Sequence, residues 1–580
     1  MCRSEPHARR RITWDRGRLE YGQTLSCTCR NSHRSRTGLG HRRRSLHRLS
    51  LRNSRPTIRC QTRLSQRRNH LELGLHVPNS TRPNILFIES DQHNPAVIGA
   101  YGDPVIRTPN LDALSARGIV FENSYCASPI CVPSRAAMLT GQHPYQNEVW
   151  TNSQYLHSGI PTFAHSLGAA GYSPVQIGRM HFNGPDQLHG FTERFIGDHN
   201  PNHLGAEEVD HGSLHGTAGP ARVSLELSGH GLNSYQVHDE TVTARTVEFL
   251  DDHAAKNSDE PFALAIGLML PHQPFVATKN DYDEYRGKVP PPKNPMPFED
   301  ETHLYLKWWK SHAGLEDVTP EEVERTRTAY YGLVTRLDEL LGDIFDALEK
   351  HDLLENTLIV YTADHGEQIG EKGLWWKQTF YEDSVKVPAI ISWPARLPQG
   401  EKINRITSQL DLNATMLDAA EAPALPSSIG RSLLPLIDNP ANQDWHDIAF
   451  SEYCTEPNDK AHSEGEKIWQ NRMVREGDWK LIYYHGDDLN GSNIPSQLFN
   501  LKDDPDELHD LIDAPQHQKV VSHLTNLVLE DWNPAWVDAQ IRKQSANLGI
   551  TIPWAKNTQP VDTVRWDLNP AWDYLDDPQV

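Results

Sequence analysis

No stretch of the 580 residues approaches the roughly 18 consecutive apolar side chains that a bilayer-spanning helix needs, so a helical membrane anchor is excluded from this sequence. Cysteine is scarce. Of seven, four (Cys2, Cys27, Cys29, Cys60) fall in the first 80 residues. The other three, Cys126, Cys131 and Cys454, give neither a paired framework nor a zinc-ligand spacing, which excludes a disulfide scaffold and a cysteine-held structural metal. The first 80 residues have no lysine at all, yet 19 arginines against four acidic residues. They also lack the apolar core of a signal peptide and any sustained periodicity. We read residues 1–81 as a disordered leader, or as upstream sequence translated from a misplaced start, dispensable for folding. A cytoplasmic location is the matching expectation. The remainder is more acidic than the net −21 indicates, which argues against a nucleic-acid partner. There are no internal repeats.

What is present is a large α/β pattern. Asn84-Ile85-Leu86-Phe87-Ile88 is a continuous apolar run, as expected of a strand buried on both faces. Phe262 to Leu270 and Leu358-Ile359-Val360-Tyr361-Thr362 are two more. Before the last, Leu333, Leu337, Leu340, Leu341, Ile344 and Leu348 recur at helical spacing. A helix feeding a buried strand predicts a mixed, mostly parallel sheet flanked by helices. Each run ends in polar residues: Asp91, then His272, then Asp364, with Arg179 and His181 after a shorter run at Val175. One alone reads as a turn residue. Four together, at the carboxyl edge of an open sheet, read as a site.

The expected organisation is a catalytic domain over 82–425, a smaller α+β subdomain over 426–530, and an aromatic extension over 531–580. Trp479 to Tyr484 and Gln497 to Leu501 predict strands of a small antiparallel sheet. The Pro-, Lys- and Trp-rich segment 276–320 predicts a long loop. The Trp-dense tail is too aromatic for a disordered end and predicts packing on this chain or on a neighbour.

The most informative string is Cys131-Val132-Pro133-Ser134-Arg135, within CVPSRAAMLTGQ. Taken alone, a buried free cysteine before a helix is the commoner meaning. With Pro133, Arg135 and Leu139-Thr140-Gly141 in register, the string resembles the signature of the formylglycine-dependent (type I) sulfatases of the alkaline-phosphatase superfamily. The resemblance implies that Cys131 is oxidised to an aldehyde, by a formylglycine-generating maturation enzyme, and that its hydrate attacks sulfur. It implies one divalent metal held by Asp91, Gln92, Asp364, His365 and residue 131, with Gln92 and His365 replacing the Asp and Asn of many members. Ca²⁺ is the first choice, Mn²⁺ or Mg²⁺ the alternatives. By the same resemblance Arg135 steadies residue 131, and His181 orients a hydroxyl of its hydrate. His272 and Lys377 face the leaving group, His272 as general acid. Arg179 replaces a lysine, keeping the charge but not a ready proton.

The stretches Ile160 to Leu167, Met180 to Phe191 and Gly373-Leu374-Trp375-Trp376-Lys377 narrow the resemblance to the choline-sulfatase-like branch. Asn152 falls at that branch's pocket asparagine, and the Trp-rich tail resembles its extension, which implies a homo-oligomer. Choline sulfate is thus one expected substrate, although no ammonium-binding box is identifiable. Sulfated carbohydrate fragments are the alternative. Two rivals also stand: a phosphonate or phosphodiester hydrolase of the same superfamily, disfavoured by Arg179 and His181, and a catalytically dead binding protein.

Overall fold

The Asn84 run becomes the strand Asn84–Asp91, buried at all eight positions. In the computed structural model it lies between Thr357–Ala363 and Ala263–Pro271, parallel to both. Described are residues 82–207, 209–256, 260–455, 469–486 and 494–576; the leader expected over 1–81 lies outside them.

Alternation along the Asn84–Asp91 strand sends side chains to two different cores. Leu86 and Ile88 pack with Val242 and Leu333, on the helices Ser234–Ala255 and Pro320–Lys350. Ile85 and Phe87 pack with Val132 and Met416, on Cys131–Thr140 and Gln409–Ala419. Eight strands make up this sheet, in the order Glu401–Ser408, Ile119–Tyr125, Ala389–Ser392, Thr357–Ala363, Asn84–Asp91, Ala263–Pro271, Pro174–Gly178, Glu193–Phe195. Only Ala389–Ser392 runs antiparallel to its neighbours. The fold is the mixed, mostly parallel α/β sheet expected, with helices on both faces.

The helix Pro320–Lys350 is specified at its start by Thr319, whose hydroxyl accepts from Glu322 N while the Glu322 side chain accepts from Thr319 N. Its six predicted core positions are all at most 3% exposed. Leu337→Ala should therefore cost about 2–5 kcal/mol, read as a lower denaturant midpoint at unchanged slope. A shift close to zero would mean that this face is not core.

A second sheet orders Ile448–Cys454, Gln470–Glu476, Trp479–His485 and Gln497–Asn500, all antiparallel. Leu524 and Val528 of the helix Gln518–Glu530 cover it. This is the smaller C-terminal α+β region. The segment expected as a long loop instead holds two helices, Lys279–Tyr285 and Leu304–His312. Prolines between them, from Pro290 to Pro297, break the periodicity that would have announced either helix. The tail forms the helix Pro534–Thr558 and returns to pair Tyr574–Leu575 antiparallel with Gly229–Leu232 of the same chain. No helix among the described residues is long and apolar enough to cross a membrane.

Candidate active site

Four adjacent strands deliver side chains to one edge. Asp91 ends its strand, Asp364 follows Thr357–Ala363, His272 follows Ala263–Pro271, and Arg179 and His181 follow Pro174–Gly178. Above them the helix Cys131–Thr140 begins at Cys131, with no cap from its own N-cap residue, Ile130. Asn152 supplies one from outside, its Oδ1 accepting from Val132 N at 3.0 Å. The structure brings all eleven sequence-selected residues to this edge.

The acidic and thiol groups converge. One ligand atom each from Asp91, Cys131, Asp364 and His365 lies within 4.8 Å of every other, and all four residues are buried. Cys131 Sγ is 3.3 Å from His365 Nε2, 3.0 Å from Lys377 Nζ and 3.8 Å from Asp91 Oδ1. His365 Nδ1 donates to Gly366 O at 3.0 Å, which leaves the Nε2 lone pair facing the cluster. Arg135, 1% exposed, ties the two carboxylates together: Nε to Asp364 Oδ2 at 3.0 Å and Nη2 to Asp91 Oδ2 at 3.1 Å. Arg179 Nε approaches Asp91 Oδ2 at 2.9 Å.

Burial pushes the Asp91 carboxyl up, but His272, Arg179, Arg135 and Lys377 outweigh it and hold the group well below the usual carboxylate range. Burial, then Lys377, drives His272 well below its ordinary value. With that ring neutral, the two guanidiniums and Lys377 keep Asp91 ionised. His365 is pushed down to about 4, first by burial, and His181 to about 3, by burial and then Arg179.

Two tautomers follow. Arg179 can only donate, and its Nη2 lies 2.8 Å from His181 Nδ1, so the His181 proton sits on Nε2. His272 Nδ1 donates to Gln273 O at 2.5 Å, and its Nε2 accepts from Lys377 Nζ at 3.0 Å. Lys377 Nζ thus bridges Cys131 Sγ and His272 Nε2.

The donor set fits a hard divalent cation: two carboxylates, one imidazole and an amide oxygen. Gln92 Nε2 donates to Gln273 Oε1 at 2.6 Å and to Glu367. Gln92 Oε1 stays fully buried and accepts no hydrogen bond among the described residues, as expected of an oxygen kept for a cation.

Several site groups had no signal in the sequence. Glu367 accepts from Ile369 N and Trp376 N and so fixes the loop between His365 and Lys377. Glu89 lies under Arg135, 3.4 Å from its Nη1, and burial pushes its carboxyl up to about 8. Asp198 accepts from His181 N at 3.1 Å. His199, Asn200, His211 and Tyr235 wall a cavity of about 310 Å³ that also exposes Cys131, Asn152, Arg179, His181, His272 and Lys377. With 30 histidines in the chain, nothing local marks His199 or His211.

A strand-edge cluster of this make-up is one that neutralises and cleaves a charged ester, and comparison with known proteins gives the class. The sulfatase family model matches residues 83–422, and a model described as the C-terminal region of N-sulphoglucosamine sulphohydrolase matches 370–533. The chain belongs to the sulfatase family and is a sulfuric ester hydrolase. It is 32% identical to the choline-sulfatase of Rhizobium meliloti (strain 1021) over 501 residues, 82% of this chain and 92% of that one. It is 30% identical to arylsulfatase K of Danio rerio over 517 residues, covering 84% and 91%. Among solved structures, the phosphonate monoester hydrolase of Agrobacterium radiobacter superposes with a TM-score of 0.63 at 22% identity, covering 79% of this chain and 96% of that one. A protein in complex with its substrate D-glucosamine-2-N,6-O-disulfate gives 0.61 at 23%, covering 80% and 99%. Those two likenesses speak for the fold.

Proposed function

We propose that this enzyme splits a small sulfate monoester into an alcohol and inorganic sulfate, with Cys131 acting after conversion to formylglycine. The observation that carries the reading is the convergence on Cys131 Sγ of Lys377, His365 and Asp91 at a helix start inside the cavity. When bound at Asp91, Gln92, Asp364 and His365, a divalent cation (Ca²⁺ first, Mn²⁺ or Mg²⁺ otherwise) draws charge off the sulfate oxygens, and the hydrated aldehyde supplies the attacking oxygen.

This chain's own residues do the rest. Arg179 and Lys377 place fixed positive charge beside the sulfate. Arg135 locks Asp91 and Asp364 in one orientation. The Lys377–His272 pair holds a proton on the side where the alcohol leaves, which makes it the acid for the departing oxygen. His181 presents an Nε2–H, fixed by Arg179, and so orients an oxygen at residue 131 as a donor.

For the alcohol, choline is the first reading. It is supported by the Rhizobium meliloti relative and by a cavity sized for a small ester. Sulfated carbohydrate is the second, favoured by a wall of His199, Asn200 and His211 with no Asp or Glu among its lining residues. A panel of esters separates them. On the first reading choline sulfate exceeds 3,3-dimethylbutyl sulfate, its uncharged isostere, by about tenfold or more in kcat/KM. Equal rates would move the assignment to carbohydrate esters. Turnover of a phosphonate monoester ahead of every sulfate would instead favour the phosphonate hydrolase rival. Maturation by a formylglycine-generating enzyme, a cytoplasmic site of action and self-association through the extension complete the proposal.

A further inference from the structure

The C-terminal tail lies more than 350 residues from the wall of the cavity in sequence, yet it is bonded to that wall throughout. Trp566 N donates to Asp198 O at 3.0 Å and Arg565 Nε to His199 O at 2.8 Å. Thr563 N donates to Asn202 Oδ1 at 2.6 Å, and Asp562 accepts from Asn202 N at 2.9 Å. The approach is too close for side chains. A Cβ at Gly197 would meet Val564 O at 1.8 Å, and one at Gly212 would meet Pro570 O at 2.4 Å. The wall segment therefore has glycine where the tail crosses it, two residues before His199 and one after His211.

The deepest tail contact is Asp573, 2% exposed. Its Oδ1 accepts from Ser234 N at 2.5 Å, and its Oδ2 accepts from Ser234 Oγ at 3.1 Å and from His211 Nδ1 at 3.0 Å. A carboxylate can only accept here, so the His211 proton is fixed on Nδ1 when the ring is neutral, and Nε2 is left with a lone pair. His211 lines the cavity that holds Cys131, His272 and Lys377. Its Nε2 has no hydrogen-bond partner among the described residues and is not among the fully buried orphan atoms. Tyr235 connects the two sides, its ring centroid 6.1 Å from that of His211 and 5.9 Å from that of His272.

We infer that the tail is part of this active site: Asp573 is a positioning residue that holds His211, and His211 Nε2 accepts a hydrogen bond from a donor on the leaving-group alcohol. This rests on the sulfatase reading of the cavity. It also favours the carbohydrate ester over choline sulfate, because an acceptor is satisfied by an alcohol that carries a second hydroxyl, whereas choline has no hydrogen-bond donor beyond its esterified oxygen. Leaving that lone pair opposite an alkyl group forfeits the hydrogen bond.

The test uses a near-isosteric pair on the full chain, 2-hydroxyethyl sulfate and propyl sulfate. The wild type should prefer the hydroxylated ester, and both His211→Phe and Asp573→Asn should narrow the kcat/KM ratio about tenfold. The double variant should narrow it no further than His211→Phe alone, since Asp573 acts only through the ring. An unchanged ratio in His211→Phe, with its melting temperature retained, would overturn the proposal and leave Asp573 as a cap on the helix Ser234–Ala255. Should Asp573→Asn fail to fold, His211→Phe decides alone. A reading without turnover separates this proposal from the sulfatase assignment. The ring-nitrogen resonance of His211 Nε2 should move on addition of 2-hydroxyethyl sulfate and less with propyl sulfate, even if neither ester is split. No movement in the wild type would overturn it.

Discussion

Replacing Cys131 by alanine should lower sulfate-ester turnover by at least about 10⁴-fold, the scale on which loss of a covalent nucleophile is felt. The thiol itself is a poor nucleophile in this setting. Without a bound cation, burial, then Asp91, pushes it up to about 11 against the partial offset of Lys377. On the formylglycine reading, active enzyme should carry a peptide about 18 Da lighter at position 131 than the encoded cysteine. The variant should still fold. A thiol at a helix start, packed among polar groups, contributes about 1 kcal/mol or less through its sulfur. Full activity in protein whose mass spectrum shows only the intact cysteine would sink the formylglycine mechanism.

How much of this molecule can be read from its sequence depends on how local the information is. The strand at Asn84, the helix at Leu333 to Leu348 and the strand at Leu358 are each specified by their own apolar pattern, and each forms. The position of Asp91, Asp364 and His272 at strand ends is local too, and a parallel sheet converts three such ends into one edge. By contrast, Ile448–Cys454 and Gln470–Glu476 are strands that sequence reading passed over. Their polar residues are buried by partners far along the chain: Arg472, fully buried, lies over the Phe450 ring and donates to Val528 O and Asp531. Glu367 needs the same long view, for its role appears only once Gln92 Nε2 and Trp376 N are brought to it. His211 is the extreme case. Nothing in its own neighbourhood distinguishes it from the other histidines until Asp573 arrives from 362 residues away. Long-range polar pairing has no period, so no local pattern announces it.

Asp364→Asn, although nearly isosteric, should remove both the metal and the activity. The carboxylate is surrounded by donors on every side: Oδ2 accepts from Arg135 Nε at 3.0 Å, and Oδ1 accepts from Gln92 N at 3.0 Å and His365 N at 2.9 Å. An amide nitrogen placed at either position faces an N–H, so one rotamer loses Arg135 and the other loses the two backbone donors. The substitution also deletes one of the carboxylates that offset the positive charge of Arg135 and its neighbours. At separations near 4 Å, each unit charge there is worth about 4 kcal/mol at an effective dielectric constant of 20. Metal affinity should fall by at least about 100-fold, and kcat/KM by about 10³-fold or more. Elemental analysis of the wild type should return close to one divalent ion per chain, and of the variant almost none. Stability gives an independent reading. Metal at 100 times its dissociation constant should stabilise the wild type by about 2.7 kcal/mol, whereas the variant should show little change at that concentration. Chelator-treated wild type that keeps full turnover with no metal detectable would refute the assignment of Asp91, Gln92, Asp364 and His365 as ligands.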